Sequence, residues 1–421
     1  MKIKINRIRT YEYIFLIVCF CMVIPPLGIN SVYAHLYSGI SFLGSLIVIF
    51  GYLGLKKVSI KDISPGMIAI AFYLIWNIGL TLVLETTINS LAVRTLLVAF
   101  SLLFLLSRTK SQNYLGLKAL RDYLFIIVIL NMIMELLYFG GFTTDRRGWQ
   151  DIYLLGNANS YVFTFLLALS AENVYSLLEY KKIGKRGYIL VFAEWISFYL
   201  GGESTSAAGM LCVTLYLLMM VAIRSRFVRA MFGFGSKRAF ILILCVLTLF
   251  IVMVNTSTIY QLLEFIGIEQ TDIGTFGSRV YIWRQAISRI LESPVIGHGV
   301  VNGNFALSAT GALRSGHNNF LQILYYSGII GLSLYFASIA LIIKKIRKCL
   351  GLDETLSIIY FIGILLYVLA FLVEQSPFSC EFIAFLVIGV FIENNYRHVC
   401  STIEAAPNNK VSECYDPLEC L

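Results

Sequence analysis

Long apolar runs are the feature that most constrains what this chain can fold into. A helix needs about 20 mostly apolar residues to cross the hydrocarbon core of a membrane, and about twelve runs of that kind follow one another here. They lie near 12–30, 34–54, 66–84, 91–107, 122–140, 158–178, 188–202, 206–223, 239–256, 317–343, 355–373 and 380–393. The pattern predicts an all-α, polytopic integral membrane protein with about 12 transmembrane helices.

The composition agrees with this prediction and excludes several classes of protein. Of the 421 residues, 58% are hydrophobic and only 14% are charged, whereas a soluble domain carries about 25% charged residues. A soluble enzyme, a nucleic-acid-binding module and a disordered regulator are therefore excluded. We expect membrane lipid, and no nucleic acid, around this chain.

Lys and Arg predict the orientation. With the N-terminus in the cytoplasm, all 15 Lys and 11 of the 18 Arg fall on the cytoplasmic side, as the positive-inside rule requires. The outer side then has no Lys and seven Arg, namely Arg94, Arg146, Arg147, Arg279, Arg284, Arg289 and Arg314. Arg presents a rigid fork that binds phosphate and carboxylate groups through paired hydrogen bonds. Pairing with nearby acidic residues is the alternative interpretation of these arginines.

The spans divide the chain into four parts. Residues 1–255 form an N-terminal membrane domain with about nine transmembrane helices, each of about 20 residues. Residues 256–316 form a long extracytoplasmic loop, residues 317–393 the C-terminal transmembrane helices, and residues 394–421 a cytoplasmic tail. Loops longer than about 15 residues usually carry function or are disordered, and the patterning of this loop favours function.

Segment 278–292 of the long loop has an amphipathic pattern. Val280, Trp283, Ile287 and Ile290 recur at spacings of three and four residues, which predicts a short helix with one apolar face. Such a helix can lie in the outer membrane interface or cover a cavity above the spans.

Three short motifs follow this predicted helix. The first, Gly-His-Gly, predicts a tight turn. The second, His-Asn, stands at the start of the next predicted helix, where unpaired backbone N–H groups attract anions, and the third, Gly-x-x-Gly, allows close helix packing. These residues are Gly297, His298, Gly299, His317, Asn318, Gly328 and Gly331.

In this order and spacing, the segment resembles the conserved core of the O-antigen polymerase and O-antigen ligase superfamily. Those bacterial enzymes join lipid-linked glycans on the outer face of the inner membrane. The positions that carry the resemblance are Arg279, Trp283, Pro294, Gly297, Gly299, His317, Asn318, Leu321, Gly328 and Gly331.

Two weaker similarities lie earlier in the chain. Arg147-Gly148 followed by 156–159 (Gly-Asn-Ala-Asn) resembles the family's Arg-x-x-Gly and Asn-Pro-Asn stretch, with Ala158 in place of Pro. Segment 204–206 (Ser-Thr-Ser) resembles the family's Ser-Arg motif but has no Arg. The ligases of the family are thought to use that Arg, so its absence favours a polymerase and leaves Arg94, Arg146 or Arg147 to supply the charge.

The resemblance implies a polymerase of O-antigen, capsule or exopolysaccharide. It would transfer a glycan from undecaprenyl diphosphate to a sugar hydroxyl of a lipid-linked repeat unit, on the outer face of the bacterial cytoplasmic membrane. The implied partners are this undecaprenyl-diphosphate-linked oligosaccharide, together with a chain-length regulator and a flippase. The implied catalytic residues are Arg279, His317 and Arg314, and the implied substrate-binding residues are Arg146, Arg147, Asn157, Asn159, Trp283 and Asn318.

Several roles remain open for these residues. His317 can take a proton from the acceptor hydroxyl, because its unperturbed pKa is near ~6.5. It can equally donate a hydrogen bond to a phosphate oxygen or cap the helix, and Trp283 can be an interfacial anchor. No outer Asp-x-Asp pair is present, so we expect catalysis without a metal or a cofactor.

Three rival functions share parts of this pattern. An O-antigen-type ligase uses the same chemistry with another acceptor, and a peptidoglycan polymerase has a similar helical scaffold but motifs that are absent here. A transporter or flippase for lipid-linked sugars usually shows two matching halves, and no internal repeat is visible.

Overall fold

The computed structural model describes most of the apolar runs. The described residues are 2–26, 34–55, 64–107, 114–138, 141, 143–144, 151–156, 158–200, 207–232, 281–300, 306–307, 313–314, 317–349, 354–374 and 376–404.

This part of the chain is helical. In chain order the helices are α1 (Lys2–Val23), α2 (Ala34–Leu55), α3 (Pro65–Glu85), α4 (Ser90–Ser107), α5 (Leu115–Leu137), α6 (Ala158–Tyr180), α7 (Lys185–Leu200), α8 (Ala207–Ala222), α9 (Arg226–Phe232), α10 (281–290), α11 (Asn319–Cys349), α12 (Glu354–Val373) and α13 (Cys380–Glu404). Two antiparallel pairs of two-residue strands lie between them, β1 (Thr143–Thr144) with β2 (Asp151–Ile152) and β3 (Ala306–Leu307) with β4 (Leu313–Arg314).

The prediction of an all-α membrane protein is confirmed. By length and hydropathy, four helices of the described residues suit a membrane span: Pro65–Glu85, Tyr161–Tyr180, Asn319–Lys344 and Thr355–Leu372. Five shorter apolar helices accompany them at Thr10–Val23, Leu36–Gly51, Ser90–Leu106, Gly209–Ala222 and Cys380–Ile392. The total of about twelve spans stays a prediction, and the predicted run 239–256 lies outside the described residues.

Helix boundaries follow local chemistry. The first apolar run was expected to continue to residue 30, but α1 ends at Val23, just before Pro25 and Pro26, which cannot donate a helical hydrogen bond. Helix α3 begins with Pro at its first position, where no N–H partner is needed, and the residue after its last turn, Thr86, caps it in the left-handed conformation.

Helix α6 is the central helix of the bundle. Its residues 161–178 are all buried inside the protein, and α5, α7, α8, α12 and α13 pack around it. Helices on the outside present large apolar side chains instead, such as Phe72 on α3 and Tyr199 on α7. This arrangement suits a bundle whose solvent is lipid, because lipid-facing side chains need no polar cover.

A buried ion-pair network joins four helices at one end of the bundle. Asp122 on α5 accepts hydrogen bonds from Arg121 (2.7 Å), from Arg186 on α7 (2.6 Å) and from the Tyr13 hydroxyl on α1. Glu172 on α6 lies 3.6 Å from Arg121 and 3.5 Å from Arg186. Removing one partner of such a buried network typically costs about 3–5 kcal/mol, because a charge is left uncompensated.

Candidate active site

The N-terminus of α11 carries the His-Asn pair, and Asn318 caps it. Its Oδ1 accepts the N–H groups of Phe320 (2.9 Å) and Leu321 (3.0 Å), which have no partner inside the helix. Its Nδ2 donates to the Leu372 carbonyl at the end of α12 (2.9 Å). Asn318 is fully buried, so its amide holds two helix ends together.

The next residue, Asn319, fastens the same helix to the loop between α12 and α13. Its Oδ1 accepts the backbone N–H of Ser376 (3.0 Å), and its Nδ2 lies 3.4 Å from the Tyr335 hydroxyl. The backbone on the C-terminal side of His317 is therefore fixed by two adjacent asparagines.

His317 lies half-buried immediately before this cap, with a φ of 42°. A left-handed backbone is uncommon for a residue other than glycine and costs of the order of 1–3 kcal/mol unless the surroundings enforce it. The sequence predicted that His317 stands beside a helix start, and this position is confirmed. Its strained backbone was not predicted.

The amphipathic helix predicted in the long loop is present as α10 and lies against the start of α11. Trp283 and Ile290 on α10 pack with Leu321 on α11 in a small apolar cluster. Trp283 is only 2% exposed, which places it inside this contact. Residue 280, the first apolar position of the predicted pattern, lies outside the described residues.

The loop after α10 fills a break in α11. At Gly328 the helix is interrupted by a φ of 61°, which frees backbone groups on both sides. His298 and Gly299 donate their N–H groups to the carbonyls of Tyr325 (2.8 Å) and Tyr326 (2.9 Å). The Ile329 N–H then bonds the carbonyl of Pro294 at 2.9 Å, so the loop replaces the missing helical hydrogen bonds.

Only glycine fits at the centre of this contact. A Cβ atom at Gly328 would lie 2.2 Å from the Val295 carbonyl oxygen, and one at Gly297 would lie 2.6 Å from the Gly328 nitrogen. Gly297 and Gly299 both have positive φ, 81° and 74°. The Gly-x-Gly and Gly-x-x-Gly motifs are thus two sides of one interlock, which we call the glycine interlock (residues 294–300 with 325–330).

Two side chains of α3 and a backbone carbonyl of α10 complete the glycine interlock. The His298 ring stacks on Tyr325 with centroids 4.7 Å apart, and its Nε2 lies 2.9 Å from the Arg289 carbonyl oxygen. On α3, the Thr81 hydroxyl accepts the Val300 N–H (3.1 Å), and the Trp76 indole donates to the carbonyl oxygen of Ser327 (3.2 Å). Sequence reasoning missed Trp76 and Thr81, because no local pattern links α3 to a loop more than 200 residues later.

The structure brings three of the predicted site residues into one region, namely Trp283, His317 and Asn318. Arg314 lies on the two-residue strand β4, three residues before His317, and Asn159 lies in the first turn of α6; the side chains of both are outside the described part. The predicted residues Arg146, Arg147, Asn157 and Arg279 also lie outside the described residues. The assigned roles of all nine residues stay predictions.

The described residues offer no cluster of side chains suited to a metal ion. They contain no group of three or more His, Cys, Asp or Glu side chains placed to hold a metal ion. Catalysis without a metal stays a prediction from the sequence.

Comparison with protein families gives a match that covers this region. Residues 189–336 match the family model described as O-antigen ligase. The matched segment begins in α7 and includes α10, the glycine interlock and His317. No curated protein matches the chain. The resemblance drawn from the sequence motifs is confirmed by the family match.

Proposed function

From the match of residues 189–336 to the O-antigen ligase family, we propose that this membrane protein is a glycosyltransferase that lengthens a bacterial surface polysaccharide. It transfers a glycan from undecaprenyl diphosphate to a sugar hydroxyl of a lipid-linked repeat unit, at the outer face of the cytoplasmic membrane. The observation that carries the proposal is the placement of His317. Within the matched segment, it is held at the N-terminus of α11 by the Asn318 cap.

In the proposed reaction, the acceptor hydroxyl oxygen attacks C1 of the donor sugar. The bond from C1 to the diphosphate oxygen breaks, and the diphosphate leaves with the electron pair. His317 takes the proton of the attacking hydroxyl, a role for which an imidazole is suited near neutral pH.

The leaving diphosphate needs fixed positive charge. Arg279 is our first candidate for this role, because a guanidinium binds a phosphate through two parallel hydrogen bonds. Arg314 is the second candidate, since three residues of chain keep its Cα within about 11 Å of the Cα of His317. Arg146 and Arg147, with Asn157 and Asn159, are proposed to hold the rest of the lipid-linked substrate.

Trp283 and Asn318 contribute to the proposed site in a different way. Trp283 is buried between α10 and α11, and the amide of Asn318 is engaged in three hydrogen bonds. These contacts favour a role in shaping the site around His317 over a direct contact with the sugar.

A ligase that transfers the glycan to another acceptor is the second candidate. The description of the matched family model as O-antigen ligase favours it. The absence of Arg from segment 204–206 (Ser-Thr-Ser) favours the polymerase. A flippase for lipid-linked sugars is the least supported reading, because the matched family is one of glycan-joining enzymes.

Reconstitution separates these candidates. The purified protein is mixed with lipid-linked repeat units alone, in EDTA and without ATP or an ion gradient, and the products are resolved by size. We expect a ladder of long chains. Product only after adding a second glycolipid acceptor would identify a ligase, and a strict need for Mg²⁺ or Mn²⁺ would contradict charge stabilisation by arginine alone. Movement of substrate across the bilayer without new glycosidic bonds would identify a transporter.

A further inference from the structure

A second polar group lies inside the bundle, close to the end of α5. Glu135 and Asn131 stand one turn apart on this helix, and both are 0% exposed. The Asn131 amide nitrogen donates a hydrogen bond to Glu135 Oε1 at 2.9 Å. An ionisable side chain in the interior of a membrane domain is costly, so a buried glutamate of this kind marks a functional site by default.

Two hydroxyls from neighbouring helices complete the surroundings of the carboxylate. Tyr161 lies in the first turn of α6 and Ser197 in the last turn of α7, and both hydroxyls lie beside Glu135. The Asn131 amide nitrogen is also 3.5 Å from Ser197 Oγ. These four buried side chains therefore join α5, α6 and α7 at one end of the bundle.

The other side of the Asn131 amide holds a hairpin. Its Oδ1 accepts the backbone N–H of Leu155 at 2.9 Å. Leu155 lies in the turn after β2, which Tyr153 and Gly156 close with two mutual hydrogen bonds of 2.8 and 3.1 Å, and β2 is paired with β1. We call β1, β2 and this turn (residues 143–144 and 151–156) the β1–β2 hairpin.

The β1–β2 hairpin adjoins the residues proposed to hold the lipid-linked substrate. In sequence, Arg146 and Arg147 stand between its two strands, and Asn157 directly follows its turn. Two residues of chain keep the Cα of Arg146 within about 7 Å of the Cα of Thr144, at the end of β1. The position of the hairpin therefore limits where these side chains can act.

The anchor of this hairpin and His317 lie on the same face of the bundle. Phe163, near the start of α6, packs against Phe371 on α12 with ring centroids 5.2 Å apart. The next residue of α12, Leu372, accepts the hydrogen bond from Asn318. The end of α12 thus contacts both the start of α6 and the start of α11.

We propose that Glu135 is a positioning residue of the transferase, which orients the Asn131 amide so that it holds the β1–β2 hairpin beside the lipid-linked substrate. An asparagine amide offers an acceptor at one atom and donors at the other, and the two have nearly the same shape. The Leu155 N–H can only donate, so it requires Asn131 Oδ1, and the acceptor at Glu135 keeps the nitrogen on the opposite side. This inference rests on the proposed function.

Two substitutions separate the acceptor of Glu135 from its charge and its bulk. Glu135→Gln removes the charge but keeps an oxygen that can accept from Asn131. Glu135→Leu keeps a similar bulk and removes the acceptor. Glu194→Leu on α7 is the matched control, because Glu194 is also fully buried and neither of its carboxylate oxygens has a hydrogen-bond partner.

The test uses the purified full-length protein in lipid nanodiscs. It measures kcat, the KM for lipid-linked repeat units and hydrogen exchange at residues 151–156. For Glu135→Leu we expect a KM raised at least about tenfold, with kcat within about threefold of wild type, and faster exchange in the hairpin. Glu135→Gln and Glu194→Leu should keep KM within about threefold of wild type and should keep the slow exchange.

A normal KM in Glu135→Leu would overturn the proposal. So would an equal rise of KM in Glu135→Gln, because the charge and not the acceptor would then matter, and so would an equal rise in Glu194→Leu, which would indicate a general loss of packing. If Glu135→Leu does not fold, Asn131→Leu breaks the same link and decides in its place, and an unchanged KM there counts against the proposal.

Failure of the proposed function gives a different result. In that case the wild-type protein forms no glycosidic bond, so no variant has a KM to compare and the role in the transferase falls with the function. The exchange measurement still shows separately whether Glu135 holds the hairpin, because it does not depend on turnover.

Discussion

His317 combines a strained backbone with the side chain most suited to proton transfer. The first property affects the stability of the protein, and the second affects its proposed activity. With its φ of 42°, replacement by Gly should leave stability unchanged or raise it by up to about 1 kcal/mol. The same His317→Gly variant should make no polymer, because the imidazole is gone. Thermal unfolding of the purified protein and gel banding of the surface polysaccharide test both halves.

His317→Gln distinguishes the roles left open for the side chain. Glutamine keeps a hydrogen-bond donor but cannot take a proton near neutral pH. We expect loss of long chains at a normal protein level. Near-normal banding would show that His317 donates to a phosphate oxygen or supports the helix, and would remove it from the proton transfer.

Arg279 is predicted to bind the leaving diphosphate, so Arg279→Lys should severely reduce the polymer although it keeps the charge. A lysine cannot form the paired hydrogen bonds of the guanidinium fork. Arg289→Lys is the matched control, because the Arg289 side chain is about half exposed and its ion pair among the described residues is with Glu292 at 3.0 Å. An exposed pair of this kind contributes about 0.2–1 kcal/mol. Equal loss in both variants would point to loop folding instead of chemistry.

At the scale of elements, the glycine interlock should be intolerant of a single methyl group. Gly328→Ala places a Cβ 2.2 Å from the Val295 oxygen at a positive φ, and we expect a loss of about 2–4 kcal/mol. Gly79→Ala on α3 is the control, since nothing lies within 4 Å of its Cβ position, and a helical alanine is neutral or stabilising by up to about 1 kcal/mol. Thermal unfolding and hydrogen exchange at residues 294–300 provide the measurement, and similar stability of the two variants would contradict the interlock.

The elements show what the sequence could predict. The predicted runs correspond to helices within the described residues, and the amphipathic spacing around Trp283 correctly predicted α10, because periodicity is a local property. The break at Gly328, the strain at His317 and the bond from Trp76 to Ser327 could not be predicted. They arise from backbone groups that meet only after distant segments pack. The motif Gly-x-x-Gly did not indicate the helix break, because it is equally typical of an unbroken helix that packs closely on a neighbour.

At the scale of the whole molecule, the helix ends define one face that carries the candidate site. The end of α12 meets the start of α11 there through Leu372 and Asn318, and the C-terminal part of α3 meets the loop after α10 through Thr81 and Val300. The network around Asp122 lies instead near the start of α5 and the start of α7. If the positive-inside rule places those starts in the cytoplasm, the face with His317 is extracytoplasmic.

This polarity gives the final prediction. In a chain with its native cysteines replaced, Cys introduced for Glu264, Asp272 or Ser308 should react with an impermeant maleimide in whole cells. Cys introduced for Lys110, in a loop assigned to the cytoplasm, should react only after lysis. The prediction rests on the complete absence of Lys from the loops assigned to the outside. The opposite labelling pattern would contradict the proposed function as well as the orientation. His317 would then face the cytoplasm, away from the lipid-linked glycans that the proposed reaction consumes, and the proposed function would fail together with the orientation.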